Sequence, residues 1–200
     1  MAERLCPVWA GYFLASRLRR LLQNPYRILS PHVKPGMMVL DVGSAMGFFS
    51  LPMAEMVGPQ GKVVCVDVQP GMLTVLARRA ARSGLAERIQ THASSEEAIG
   101  LSGYDSRFDL ALAFAMVHEV QDPAHLLGEM YQLLKGGAAL LLAEPAGHVT
   151  APDFERTVAL GLETGFVEVG RPQIRLSRTA VLVKPAAGPG SAHTRPAGSV

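Results

Sequence analysis

The sequence predicts an α/β fold on a mostly parallel sheet, and three observations carry that reading. Several apolar runs are continuous rather than alternating, as in strands covered on both faces. Helical stretches separate them, which is the order of an open α/β sheet. The last two runs have no clear helix between them, only Gly170-Arg171-Pro172 and a few polar residues, so they form an antiparallel hairpin at one edge.

Each element follows from local chemistry. From Trp9 to Leu22 the apolar positions Tyr12, Phe13, Ala15, Leu18, Leu21 and Leu22 recur near helical spacing, with arginines between them. Asn24-Pro25 and Ser30-Pro31 then interrupt the chain. The Pro35-Gly36 turn launches a strand, Met38 to Val42. A helix from Phe49 to Val57 is stopped by Gly58-Pro59 and Gly61. The next strand is Lys62 to Val66, and Pro70 opens a helix that runs to Arg82. A strand from Arg88 to His92, a short helical turn over Ser95 to Ile99 and a strand from Phe108 to Ala115 follow. A helix beginning near Pro123 is expected to end on the glycines of Lys135-Gly136-Gly137. The strand Ala138 to Ala143, a helix from Pro152 to Leu160, and strands Phe166 to Val169 and Arg178 to Val183 complete the series. Residues 1–34 read as an N-terminal helical lid and 35–184 as the main domain. Residues 185–200, rich in Pro, Gly and Ala, read as a disordered tail.

Composition narrows the function classes. Hydrophobic residues make up 48% and charged residues 18%, a globular balance, and the formal charge of +2 is too mild to imply nucleic acid. The basic residues concentrate early: Arg4, Arg17, Arg19, Arg20, Arg27 and Lys34 stand against Glu3 in the first 36 residues. That patch reads either as a solvated helix face or as a platform for an anionic partner such as RNA. Cys6 and Cys65 cannot build a disulfide framework and suit a reducing, cytoplasmic setting. No signal peptide is evident, and no uncharged apolar segment is long enough to span a membrane.

The chemistry concentrates where strands end. In an open α/β sheet ligands bind beyond the carboxyl ends of the strands. The stretch VLDVGSAMGFF places Asp41 and a glycine-containing turn at such an end. Asp67 ends the following strand, and a carboxylate there can accept both hydroxyl hydrogens of a ribose. The dinucleotide fingerprint G-x-G-x-x-G is absent, because the glycines stand at 43 and 47. Asp41 would also oppose a diphosphate and suit a cationic amino-acid group instead.

Four segments in order resemble the class I S-adenosylmethionine-dependent methyltransferases, over about residues 35 to 184. VLDVGSAMG resembles the first motif, hhDhGxGxG, and VVCVDVQPGML the strand-end acid and the adenine-flanking residues. FDLALAFAMVHEVQDP resembles the fourth-strand segment, and LLKGGAALLLAEP the LKPGG turn and fifth strand. The resemblance implies a Rossmann-like three-layer sandwich with a seven-stranded sheet whose last strand is antiparallel. It implies S-adenosyl-L-methionine as cofactor, with Asp41, Gly43, Ser44, Ala45 and Gly47 at its methionine portion. Asp67 would hold the ribose, Val68 and Met72 would flank adenine, and Ser94 would stand where many relatives have an acid. Phe114 and Ala115 would face the cofactor. Ala45 replaces the motif's middle glycine, and the expectation is a negative φ there, with the methyl group turned from the cofactor.

Methyl transfer from a sulfonium mainly requires holding nucleophile and methyl in line. A base is needed when the acceptor must lose a proton. His118 and Glu119 follow the fourth strand, and Glu144 and His148 the fifth. These groups read as a general base oriented by a carboxylate, as a metal site, or as loop-capping structure, and no residue is assigned as a metal ligand. The catalytic Asn/Asp-Pro-Pro-aromatic motif of amino-methylating nucleic-acid enzymes is missing. A small acceptor with an apolar or aromatic body is the leading substrate class. An RNA or protein acceptor on the basic N-terminal segment is the second, and an inactive cofactor-binding regulator the third. A homodimer is compatible with all three.

Overall fold

The computed structural model describes residues 22–186. The expected N-terminal helix over Trp9 to Leu22 (all but Leu22 itself) and the tail from 187 lie outside these residues. The described helices and strands, in chain order, are α1 (Pro25–Leu29), β1 (Met38–Val42), α2 (Ser50–Val57), β2 (Lys62–Asp67), α3 (Pro70–Arg82), β3 (Ile89–Ala93) and β4 (Phe108–Phe114). They continue with α4 (Pro123–Leu133), β5 (Leu134–Pro145), α5 (Ala151–Thr164), β6 (Val167–Gly170) and β7 (Ser177–Val183). Short 3-10 turns cover Ala86–Arg88 and Val117–Glu119.

The seven strands form one sheet in the order β3-β2-β1-β4-β5-β7-β6. Pairings from β3 to β5 are parallel, and β7 runs antiparallel to both β5 and β6. The expected hairpin therefore exists, with β6 as the edge strand. One core cluster, around Leu40, Ala111, Leu140 and Leu182, packs α4 and α5 on one face of the sheet; the other, around Val39, Cys65, Leu112 and Leu141, packs α2 and α3 on the opposite face. Strand residues therefore meet apolar neighbours whichever way they point, which is why the central runs do not alternate.

Local rules set most boundaries. Pro70 opens α3, Asp122 caps α4 by accepting from the His125 N–H at 2.9 Å, and Thr150 caps α5 by accepting from Asp153. Gly165, at φ 111°, ends α5 one turn beyond the expected Leu160.

Two expectations are corrected. Ser95 to Ile99 is not helical: Ser95 Oγ accepts from the Glu97 and Ala98 amides at 3.2 and 3.1 Å, folding the segment into a bend. Lys135-Gly136-Gly137 does not cap a helix either, because α4 ends at Leu133 and the glycines lie within β5. There they occupy a register shift in which Phe108 pairs with Leu134 but Leu110 with Ala139. Among the described residues no helix is long and apolar enough to cross a membrane.

Candidate active site

The chain passes from β1 to β2 and β3 on one side and then returns to β4 on the other. The strand order thus reverses between β1 and β4, and the crevice at their carboxyl ends is where a ligand is expected. The β1 turn forms one lip and the β4 exit the other.

The turn is pinned through its backbone. The Gly43 and Ser44 amides both donate to the Val66 carbonyl at the end of β2, at 2.9 and 3.0 Å. The Ala45 amide donates to Asp67 Oδ2 at 2.8 Å, and the Gln69 amide to Asp67 Oδ1 at 2.9 Å. Each Asp67 oxygen keeps a further acceptor site, so the carboxylate can hold the turn and a ribose together. Asp67 is 9% exposed, and its burial raises its pKa.

Backbone sterics explain the small residues. A Cβ on Gly43, which sits at φ 72°, would lie 2.8 Å from Met116 Cβ. Ala45 corrects an expectation: its φ is 45°, not negative. It is the first central residue of a turn that Gly47 closes by donating its N–H to the Ser44 carbonyl at 2.9 Å. The left-handed geometry that the motif's middle glycine would accept freely is therefore kept here, with a Cβ penalty of about 1–2 kcal/mol.

Asp41 is 3% exposed and accepts from Ser50 Oγ at 2.5 Å, so its carboxylate is tied to the start of α2. Burial pushes its pKa up to about 7. The buried Ser44 hydroxyl has no hydrogen-bond partner among the described residues. An unpartnered buried hydroxyl in this turn fits a polar ligand supplying the missing bond. Together with the Asp67 carboxylate, the donors and acceptors present suit an adenosylated amino acid.

Beside the turn lies a pocket of about 360 Å³. Val68 and Ser94 line it, one wall is the loop 94–99, and the first turns of α4 form the other. Met116 lines the same pocket while covering Gly43, a role that sequence reading missed. Met72 is buried at 2% exposure and is not part of this lining. Phe114 is also buried, its ring 4.3 Å from that of Phe49, and Ala115, at φ 58°, follows it at the crevice.

The ends of β4 and β5 build a second group. Glu144 is 1% exposed; it accepts from the Val117 amide at 2.8 Å and from His118 Nδ1. Nε2 of His118 lies 4.0 Å from Glu119 Oε1. The hydrogen bond that His118 donates to Glu144 raises the His118 pKa against the opposing effect of partial burial. Glu119 is raised mainly by burial, and it also feels the charge of Asp67. These carboxylates and the imidazole therefore share one electrostatic neighbourhood with Asp67. His148 is exposed on the loop after β5 and does not join the pair. Among the described residues no group of three or more His, Cys, Asp or Glu side chains is placed to hold a metal ion.

Comparison with known proteins agrees with this geometry. A family model described as a methyltransferase domain matches residues 33–163. The chain is 35% identical over 118 residues to a ubiquinone/menaquinone biosynthesis C-methyltransferase UbiE of Xanthomonas oryzae pv. oryzae, covering 58% of this chain and 46% of that one. It is 34% identical, with the same coverage, to a demethylmenaquinone methyltransferase of Symbiobacterium thermophilum. The matched region spans about half the length of these relatives. A SAM-dependent methyltransferase from Aquifex aeolicus superposes with a TM-score of 0.77 at 24% identity, covering 90% of this chain and all of that one. The strand order, the strand-end acid beside a left-handed turn and the matched domain lead to one conclusion: the chain belongs to the class I S-adenosylmethionine-dependent methyltransferase family, with S-adenosyl-L-methionine as its cofactor.

Proposed function

We propose that the protein transfers a methyl group from S-adenosylmethionine to a small acceptor with an apolar or aromatic body, and that an electron-rich ring carbon of a quinol is the first acceptor class to test. The observation that carries the reading is the pairing of His118 with the buried Glu144 across two strand ends. Glu144 fixes the ring through Nδ1 and leaves Nε2 to take a proton. A hydroxylated ring becomes a carbon nucleophile as its hydroxyl proton leaves, so a base at this place serves C-methylation and O-methylation alike. The name of the UbiE relative, which refers to a C-methyltransferase of ubiquinone/menaquinone biosynthesis, favours carbon.

Asp67 and the Ser44–Gly47 turn would hold the cofactor, which supplies an electrophilic methyl on a sulfonium whose leaving group is a neutral sulfide. The chain's own residues then have two tasks, alignment and proton removal. Release of S-adenosylhomocysteine is to be followed across hydroxylated aromatics, quinols and RNA, with and without divalent metal. Turnover on a quinol that produces a new carbon–methyl bond supports the proposal. Turnover confined to RNA, or turnover on small molecules unaltered in His118→Gln, overturns it.

A further inference from the structure

We propose that Glu129 is a positioning residue for the purine end of the cofactor, a bridge whose length sets the width of the 360 Å³ pocket. The proposal rests on the reading of that pocket as the adenosyl site. Its two walls are the loop 94–99, which has no strand or helix, and the first turns of α4. The loop is fixed to itself through Ser95 Oγ, to β2 through the Ser94 amide on the Asp67 carbonyl at 3.2 Å, and to β3 through His92 Nε2 and the Ile99 carbonyl at 3.0 Å. Among the described residues, the hydrogen bonds that tie the end of the loop and the next residue, Gly100, to α4 both end on Glu129. The Ile99 amide donates to Oε2 at 2.8 Å and the Gly100 amide to Oε1 at 3.4 Å.

Burial makes this bridge matter. Ile99 is 2% exposed, so its amide would lose its partner with little water to replace it. The Glu129 side chain is 21% exposed, and His125 Nε2 lies 3.8 Å from the oxygen that receives the Ile99 amide. Asp122, on the same side of α4, cannot substitute, because its carboxylate already caps the helix. Without Glu129 the loop moves toward water and the pocket opens at Ser94 and Val68, while the Ser44–Gly47 turn and the His118–Glu144 pair keep their own bonds. The loss therefore falls on nucleoside affinity rather than on the chemical step.

Titration calorimetry with 5′-methylthioadenosine and S-adenosylhomocysteine tests this on the full chain. Glu129→Ala should weaken both by about tenfold, as expected for losing charge-assisted bonds to backbone amides. Glu129→Gln should recover part of the loss, since its carbonyl oxygen still accepts one amide, while Glu129→Asp, one methylene short, should not. In turnover, KM for the cofactor should rise with kcat unchanged. Without ligand, the Ile99 and Gly100 amides should exchange hydrogen faster in Glu129→Ala, or in Glu129→Gln if the alanine variant does not fold. Affinities within about twofold of the parent, unchanged exchange, or a kcat that falls in step with melting temperature would overturn the bridge. A parent protein that binds neither nucleoside removes the cofactor-site reading instead, and the exchange measurement still decides whether Glu129 holds the loop.

Discussion

The two ends of the crevice are built by opposite means. At the β1–β2 end, the backbone does most of the holding: the amides of Gly43, Ser44, Ala45 and Gln69 converge on the Val66 carbonyl and the Asp67 carboxylate. At the β4–β5 end, side chains do the holding, with Glu144 reaching back 26 residues to His118. A backbone site needs small residues and one acid within a short stretch, whereas a side-chain pair needs only that two strands lie next to each other. The first should govern binding and the second turnover.

The largest expected effect breaks the first side of that contrast. Asp67→Ala removes two charge-assisted bonds of about 1.5–3 kcal/mol each to the turn, besides any to ribose. Calorimetry should show cofactor affinity reduced by about a hundredfold or more. Retained affinity would mean that the acid does not organise the turn.

His118→Gln and Glu144→Gln test the second side. Both should cut kcat on a true acceptor by about a hundredfold, with cofactor affinity unchanged. The pH dependence has a definite sign. Raised by Glu144, the folded pKa of His118 lies above the usual imidazole value of 6.5. A base must be deprotonated, so activity should climb on the alkaline side of 6.5, and Glu144→Gln should move that limb to lower pH. The pair's contribution to stability runs the other way: it is fully present below 6.5 and lost as pH rises through the folded value.

Asp41 sharpens the comparison, since it is a buried acid without a cationic partner among the described residues. Its folded pKa of about 7 exceeds the ordinary 3.8, so the folded state binds more protons in that window. Stability without ligand should therefore fall as pH rises from about 4 to 7. Asp41→Asn should flatten that slope in denaturant titrations at several pH values, and an unchanged slope would locate the titration elsewhere.

The smallest effect concerns the turn itself. Ala45→Gly relieves the left-handed Cβ contact but adds freedom to the unfolded chain, leaving a net gain of about 0.5–1 kcal/mol. Cofactor affinity should stay equal or improve. Destabilisation by thermal melting would show that the Ala45 methyl group packs favourably.

Legibility followed the same division. VLDVGSAMG and VVCVDVQPGML could be read because their chemistry is local: an apolar strand, a tight turn and an acid at a fixed place. The φ of Ala45 was misjudged, since residue type argues for negative φ, whereas the turn that Gly47 closes on Ser44 holds Ala45 in the left-handed region. Lys135-Gly136-Gly137 was misplaced because glycines after a helical stretch resemble a cap, and only pairing with β4 shows a bulge.

The order of strands and helices, the edge hairpin and the tight turn after β1 were thus determined by the sequence itself, through hydrophobic pattern and turn chemistry acting over a few residues. The tertiary structure alone decided that Glu144 grips His118 while His148 stays exposed, that Met116 covers Gly43, and that Glu129 reaches Ile99 across a pocket. Those contacts depend on which strands become neighbours and how far each side chain reaches between them. No periodicity along the chain records either quantity.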